Sequence, residues 1–99
     1  LDTFLLSGPS SLALIDKTKL HSTGRWHWAA LRYDGRTMTS FVDALKELEG
    51  PVAFAPMVEG KMSLGVRQNR MYWFKGEISQ VRFTPAALTE GDLQHLGGK

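Results

Sequence analysis

The chain has 99 residues and a formal net charge of +2, with 42% hydrophobic residues, 22% charged residues and no cysteine. This length allows one small domain, the lack of cysteine excludes disulfides and thiolate metal sites, and no apolar run approaches the roughly 18 residues that span a membrane. The twelve basic residues are scattered among ten acidic ones rather than clustered in a stripe, so we expect no nucleic-acid binding and no membrane insertion.

The first half of the chain alternates short strand patterns with turns. Residues 11–15 (SLALI) follow a turn-forming SGPSS segment and predict a short strand. From Trp26 to Tyr33, large apolar side chains alternate on both faces, which predicts a strand that is covered on both sides or has one core face and one aromatic groove. Because Asp34-Gly35 supplies the positive φ of a tight turn, we expect an antiparallel hairpin over residues 24–44.

The second half contains one ambiguous segment and three clearer ones. Residues 43–50 (DALKELEG) combine a possible N-cap with good helix formers, but seven helical residues are marginal, so we favour a strand end and a loop over a helix. Residues 60–66 and 74–84 predict two further strands. Thr89, with an acidic residue three positions later, predicts the N-cap of a short C-terminal helix.

A series of short motifs follows in chain order. They are Trp26-His27, Ala29-Ala30, Tyr33-Asp34-Gly35, Phe41-Val42-Asp43, Leu64-Gly65, Phe74-Lys75-Gly76-Glu77-Ile78, Val81-Arg82-Phe83 and Ala87-Leu88-Thr89. Together they resemble the concanavalin A-like jelly-roll modules of the laminin-G-like and pentraxin-like group. The resemblance covers residues 24–96 and implies an all-β antiparallel jelly-roll sandwich with a short C-terminal helix, in one domain over residues 1–99.

The chain departs from this family pattern in two ways. Asp43-Ala44 stands where the family usually has Asp-Gly, and because Ala tolerates positive φ poorly, we expect a remodelled turn. Such modules also usually run to half as many residues again or more. We therefore expect the chain to be the C-terminal part of a longer domain that is truncated at its N-terminus, or to pair with a second copy as a homodimer.

The patterns that carry catalysis or metal binding are weak. Glu47 and Glu49 alternate as the carboxylates of a glycoside hydrolase do, but no third acid follows in phase, and we expect no enzyme. The three histidines lack metal-ligand spacing, and His27 is expected to cap the core at a strand end. The resemblance allows Ca²⁺ at loop ends near Asp34 and Asp43, but no cluster of acids accompanies them; we expect turn-forming aspartates and no cofactor.

Two groups of residues combine aromatic rings with hydrogen-bond donors, as ligand-binding surfaces do. The first follows RQNR in the segment at residues 67–76, where the alternative is a buried cluster with only one ring facing out; the second lies on one face of the predicted tryptophan strand, where the alternative is packing. Trp26 is expected to pack against a neighbouring strand or loop. The candidate ligand-binding residues are Asn69, Arg70, Tyr72, Trp73, Trp28 and Arg32.

We therefore expect a non-catalytic carbohydrate-binding accessory module of a larger secreted or cell-surface protein, located outside the cell. The alternative is a protein-interaction or structural β-sandwich module without a glycan ligand. Exposed aromatic rings beside Arg and Asn favour the first function, whereas one contiguous apolar patch favours the second. The expected partners are a glycan or protein ligand and the remaining strands or domains of a parent polypeptide.

Overall fold

The computed structural model describes residues 2–55, 59, 62–67 and 69–97, which fall into two compact units. The first unit comprises residues 1–55 and 86–99, and the second comprises residues 56–85. All the strands and helices of the described residues lie in the first unit. They are β1 Thr3–Ser7, β2 Ser10–Leu14, β3 Ala29–Tyr33, β4 Thr37–Val42, β5 Leu45–Pro51 and α1 Glu90–Gly97.

The strands form two antiparallel sheets. β1 and β2 pair as a hairpin with Leu5 opposite Leu12, and β3, β4 and β5 form a three-stranded sheet in chain order. Ala30 of β3 lies opposite Phe41 of β4, as expected for the hairpin predicted over residues 24–44. The predicted all-β jelly-roll class with a short C-terminal helix is confirmed. Among the described residues, α1 is too short and too polar to cross a membrane.

The two sheets meet where β2 packs against β5, and the buried core lies between them. Leu14, Met38 and Val52 are buried there, and partly buried side chains surround them. A Cβ atom at Gly50 would lie 2.8 Å from Cδ1 of Leu12, so the absence of a side chain at Gly50 allows β2 to approach β5 closely. The surrounding side chains are Leu5, Leu12, Tyr33 and Leu48.

The opposite face of the three-stranded sheet is also covered. Phe41 is only 1% exposed, and the guanidinium of Arg32 lies 5.0 Å from its ring centroid. The same guanidinium donates a hydrogen bond from Nη1 to the carbonyl oxygen of Leu88, at 3.0 Å. Arg32 therefore ties the segment that leads into α1 to this face of the sheet.

The predicted C-terminal helix is confirmed together with its cap. The backbone N–H of Asp92 donates to Oγ1 of Thr89 at 3.2 Å, and the N–H of Thr89 donates to Oδ2 of Asp92 at 3.3 Å. These reciprocal bonds satisfy two backbone donors in the first turn, where helices lack internal partners.

The hairpin turn between β3 and β4 is confirmed, but Asp34 has a different role from the one expected. Only Gly35 has a positive φ, of 100°. The carboxylate oxygen Oδ1 of Asp34 instead accepts backbone N–H bonds from Arg36 at 2.9 Å and Thr37 at 2.8 Å. These bonds hold the pKa of Asp34 below its usual value. Asp34 thus stabilises the turn through its side chain, as Asp does in Asx-turns.

The segment that follows β4 differs from the sequence prediction in two ways. Val42 pairs with Leu45, so the loop consists of Asp43 and Ala44 alone, with φ of 52° and 66°. Positive φ at both loop residues is typical of a type I′ hairpin turn. The predicted remodelling of this turn is wrong. Residues 43–50 form neither the helix nor the favoured strand end and loop, because Leu45–Pro51 is the full strand β5. Pairing with β4 keeps this segment extended despite its helix propensity.

The start of β3 also differs from the prediction. The strand begins at Ala29 rather than Trp26, and Trp26 is 63% exposed instead of packed against a neighbouring element. His27 does not cap the core; its ring bonds to Asp43 and to the carbonyl oxygen of Ser22. Polar contacts with the β4–β5 turn therefore set the path of the chain before β3, in place of strand pairing.

The second unit contains no strand among its described residues, so the strands predicted at residues 60–66 and 74–84 are wrong where the structure describes them. Residues 60 and 61 lie outside the described part. A strand requires a continuous ladder of hydrogen bonds to a neighbour. The described residues of this unit form isolated backbone bonds instead, such as that from the N–H of Phe74 to the carbonyl oxygen of Gly65 at 2.6 Å.

Candidate functional site

The segment that contains four of the six candidate residues is a compact loop of the second unit. The N–H of Arg70 donates to the carbonyl oxygen of Arg67 at 2.8 Å, and the N–H of Arg67 donates to that of Met71 at 3.2 Å. The side-chain Oδ1 of Asn69 accepts the N–H of Met71 at 3.1 Å. Arg70 and Tyr72 have φ of 63° and 60°, values that residues other than Gly rarely adopt. The loop is therefore held by its own backbone bonds.

This geometry exposes all three aromatic rings of the loop, including that of Phe74, which is 59% exposed. Trp73 is 67% exposed and Tyr72 is 71% exposed. The guanidinium of Arg67 lies 5.3 Å from the centroid of the Tyr72 ring, within the range of a cation–π contact. Asn69 uses its oxygen within the loop, which leaves its amide nitrogen as the donor. The loop thus presents an indole, a phenol, a phenyl ring and several donors to solvent, whereas alternation had favoured Tyr72 and Phe74 as core residues.

The other two candidate residues, Trp28 and Arg32, lie in the first unit. Trp28 is half-buried, and its backbone N–H donates to Oδ1 of Asp43 at 3.1 Å. Arg32 already contacts Phe41 and bonds to Leu88. The guanidinium of Arg32 therefore has a structural role that the sequence did not reveal, because its partner Leu88 is 56 positions away.

A polar cluster around Asp43 in the first unit was not predicted from the sequence. Oδ2 of Asp43 accepts bonds from Nη2 of Arg25 at 3.1 Å and from Nδ1 of His27 at 2.7 Å. Nε2 of His27 lies 2.8 Å from the carbonyl oxygen of Ser22. The register of the hairpin could have indicated this cluster. Because Ala29 pairs with Val42, residues 27 and 28 must lie near residue 43.

These contacts shift the pKa of both partners in the cluster. The hydrogen bond from His27 holds the pKa of Asp43 below its usual value, with further help from the N–H of Trp28. The pKa of His27 is raised above its usual value by the bond to Asp43 and then by the bond to the carbonyl oxygen of Ser22. Both shifts favour the charged forms of the two side chains.

The carboxylates considered for catalysis and for metal binding each have partners within the protein. Glu47 is the extra residue of a β-bulge in β5, and it lies 2.7 Å from Nε2 of His21. Glu49 is half-exposed and lies 3.4 Å from Nζ of Lys46. In the described part of the chain, no group of three or more His, Asp or Glu side chains could hold a metal ion.

The first unit contains an open groove of about 460 Å³. It is lined by Ser10, Ser11, Gly35, Arg36, Pro51, Val52 and Ala53. None of the six candidate residues contributes to it.

Comparison with known proteins agrees with this fold. A family model described as the concanavalin A-like lectin/glucanases superfamily, Laminin_G_3, matches residues 3–94. A crystal structure of an S-layer domain-containing protein (residues 221–444) from Clostridium thermocellum is similar in fold, with a TM-score of 0.67 and 17% sequence identity. The match covers 88% of this chain and 44% of that one, so the chain spans less than half of that structure. No match to a curated protein was found. Because the family model covers nearly all of the chain, the chain belongs to the Laminin_G_3 family of the concanavalin A-like lectin/glucanase superfamily.

Proposed function

We propose that the chain is a non-catalytic carbohydrate-binding accessory module of a larger secreted or cell-surface protein. The observation that carries this proposal is the exposed indole of Trp73 on the same loop as the donors of Asn69 and Arg70, a loop held by its own backbone bonds. Membership of a lectin/glucanase superfamily agrees with it, and the S-layer domain-containing protein of similar fold supports a location outside the cell.

The chemistry of the loop fits a sugar ring. An exposed indole offers a flat apolar surface for the C–H face of a pyranose, and amide and guanidinium N–H groups donate to its hydroxyls. The backbone bonds that hold the loop reduce the entropy lost on binding. In this proposal Trp73 stacks on the sugar, while Asn69, Arg70 and Tyr72 bond to its hydroxyls. The half-buried Trp28 is the next candidate, beside Arg32.

Substitution of Trp73 by Ala tests this proposal. Because Trp73 is largely exposed, Trp73→Ala should leave the free energy of unfolding within about 0.5 kcal/mol of wild type. It should weaken oligosaccharide binding by about 1–3 kcal/mol, as truncation of an aromatic anchor does. Trp26→Ala is the matched control, since Trp26 is a similarly exposed tryptophan outside the loop.

Calorimetric titration of both variants with oligosaccharides selected on a glycan array separates the outcomes. Weaker binding by folded Trp73→Ala and unchanged binding by Trp26→Ala would support the site. Unchanged binding by folded Trp73→Ala would eliminate the loop and turn attention to Trp28. Loss of folding in Trp73→Ala would mean that the ring is a core residue.

A second candidate function is protein interaction or a structural role within a larger assembly. The observation that favours it is the number of large apolar side chains that the second unit exposes. Its partner is the remaining strands or domains of a parent polypeptide, or a second copy of the chain. The exposed side chains are Met62, Leu64, Met71, Phe74, Ile78, Val81 and Phe83.

Light scattering and the glycan screen together distinguish the two functions. A chain that dimerises or aggregates alone, and whose intact parent protein binds no glycan on the array, would favour the structural role. A stable monomer that melts cooperatively would contradict the need for further strands or a second copy.

A further inference from the structure

The ring of His27 lies between two hydrogen-bond acceptors. Its Nδ1 is 2.7 Å from the carboxylate oxygen Oδ2 of Asp43, and its Nε2 is 2.8 Å from the carbonyl oxygen of Ser22. A neutral imidazole has one N–H and one lone pair, so it can donate only one of these bonds. Both contacts are satisfied together only by the doubly protonated imidazolium.

Loss of one proton places a ring lone pair against an oxygen atom in either tautomer. If Nδ1 keeps the proton, the lone pair of Nε2 faces Ser22; if Nε2 keeps it, the lone pair of Nδ1 faces the carboxylate of Asp43. The side chain of His27 is 21% exposed, so water can compensate only partly for the lost bond. The contact therefore changes from attraction to repulsion at one end of the ring.

The other groups around this ring determine which part of the chain stays bound to the β4–β5 turn after His27 loses its proton. Arg25 also bonds to Oδ2 of Asp43, but its side chain is 62% exposed, and exposed ion pairs contribute little. The ring of His21 lies 5.8 Å from that of His27 and is paired with Glu47. The backbone of Trp28 exchanges two bonds with Asp43, and neither depends on the ring. Residue 28 therefore stays attached, and apart from the exposed Arg25–Asp43 ion pair, the bonds that hold residues 22–27 near the turn depend on His27.

We propose that His27 and Asp43 form a protonation-dependent latch that holds residues 22–27 against the β4–β5 turn while the imidazole is charged and releases them when it is neutral. The released segment carries the exposed indole of Trp26 and hinges at Trp28. This proposal does not depend on glycan binding, because the latch is closed and opened by a proton alone.

The pH range in which the latch is closed follows from the directions of the pKa shifts of His27 and Asp43. Because the folded-state pKa of His27 is raised, its stabilisation is fully present below its ordinary value of 6.5 and is lost as pH rises through the raised value. Because the pKa of Asp43 is lowered, its contribution is lost only as pH falls through a value below 3.8. The latch is closed between these limits and opens on the alkaline side.

The test is a pH titration of the ¹⁵N-labelled protein by nuclear magnetic resonance, without ligand. The ring nitrogens of His27 should titrate with a midpoint above 6.5, and the indole N–H of Trp26 should shift with the same midpoint. The indole of Trp73, in the second unit, is the internal control and should not follow this midpoint. Asp43→Asn keeps a residue that tolerates positive φ but removes the charge, and should lower the midpoint of His27.

His27→Gln should abolish the pH-dependent shift of Trp26, whereas His95→Gln, on the exposed face of α1, should leave it unchanged. A midpoint for His27 at or below 6.5 would overturn the proposal, as would a Trp26 shift that persists in His27→Gln. If His27→Gln does not fold, the wild-type titration still tests the proposal, because the latch requires Trp26 and His27 to titrate with the same midpoint.

Discussion

Ala44 offers a direct test of the turn between β4 and β5. Its φ of 66° lies in the left-handed region, where a residue with a Cβ atom is strained by about 1–2 kcal/mol. Ala44→Gly removes that strain but makes the unfolded chain more flexible, which costs about 0.4–1 kcal/mol. The difference lies between about 0 and 1.6 kcal/mol, and we expect a net gain near the middle of this range, about 0.5–1 kcal/mol, in the free energy of unfolding. For a chain of this size, that corresponds to a rise in Tm of about 2–8 °C.

Thermal melting followed by circular dichroism measures this effect against a matched control. Ala29→Gly changes the same residue type on β3, where the backbone is extended, and should destabilise the protein by about 0.5–1 kcal/mol. Ala44→Val should also lower Tm, because a β-branched residue at positive φ is more strained than Ala. A lower Tm for Ala44→Gly, or equal changes for Ala44→Gly and Ala29→Gly, would refute the type I′ geometry.

Three further substitutions test the N-cap of α1, the contacts of Arg32 on the three-stranded sheet and the turn between β3 and β4. Thr89→Ala removes the N-cap acceptor of α1 and should cost about 0.5–2 kcal/mol, measured as faster amide exchange in the helix. Arg32→Met keeps an apolar stem but loses a charged hydrogen bond and a cation–π contact; it should lower the unfolding free energy in urea by about 2–3 kcal/mol. An unchanged urea midpoint would show that Arg32 does not hold the segment before α1. Because the pKa of Asp34 is lowered by backbone N–H bonds, its stabilisation is lost as pH falls through that pKa. Asp34→Asn keeps a hydrogen-bond acceptor but no longer titrates, so it should remove this part of the acid dependence of Tm. A Tm profile of Asp34→Asn that is identical to wild type below pH 3.8 would contradict this expectation.

The features that the sequence predicted correctly depend on residues close together in the chain. Asp34-Gly35 specifies a turn between two strands, and alternation on both sides of it specifies their pairing. Thr89 and Asp92 specify the start of α1 through reciprocal bonds three residues apart. The family motifs, taken in order, were sufficient to identify the superfamily.

The candidate binding residues were only partly predictable. Trp73 is exposed as expected, but the alternative in which Tyr72 and Phe74 are buried by alternation is wrong, because the loop is not a strand and all three rings are exposed. The structural role of Arg32 could not be foreseen, since it depends on a carbonyl group 56 positions away.

By itself, the sequence determined the all-β class, the hairpin around Gly35 and the capped helix, because each follows from hydrogen bonds and side-chain alternation within a few residues. Tertiary structure alone decided whether an apolar segment became a strand. Residues 45–51 carry helix formers yet pair with β4, whereas residues 74–84 carry a strand pattern yet form no ladder. The physical reason is that an isolated strand cannot satisfy its own backbone hydrogen bonds, so the position of a neighbouring chain segment decides its structure.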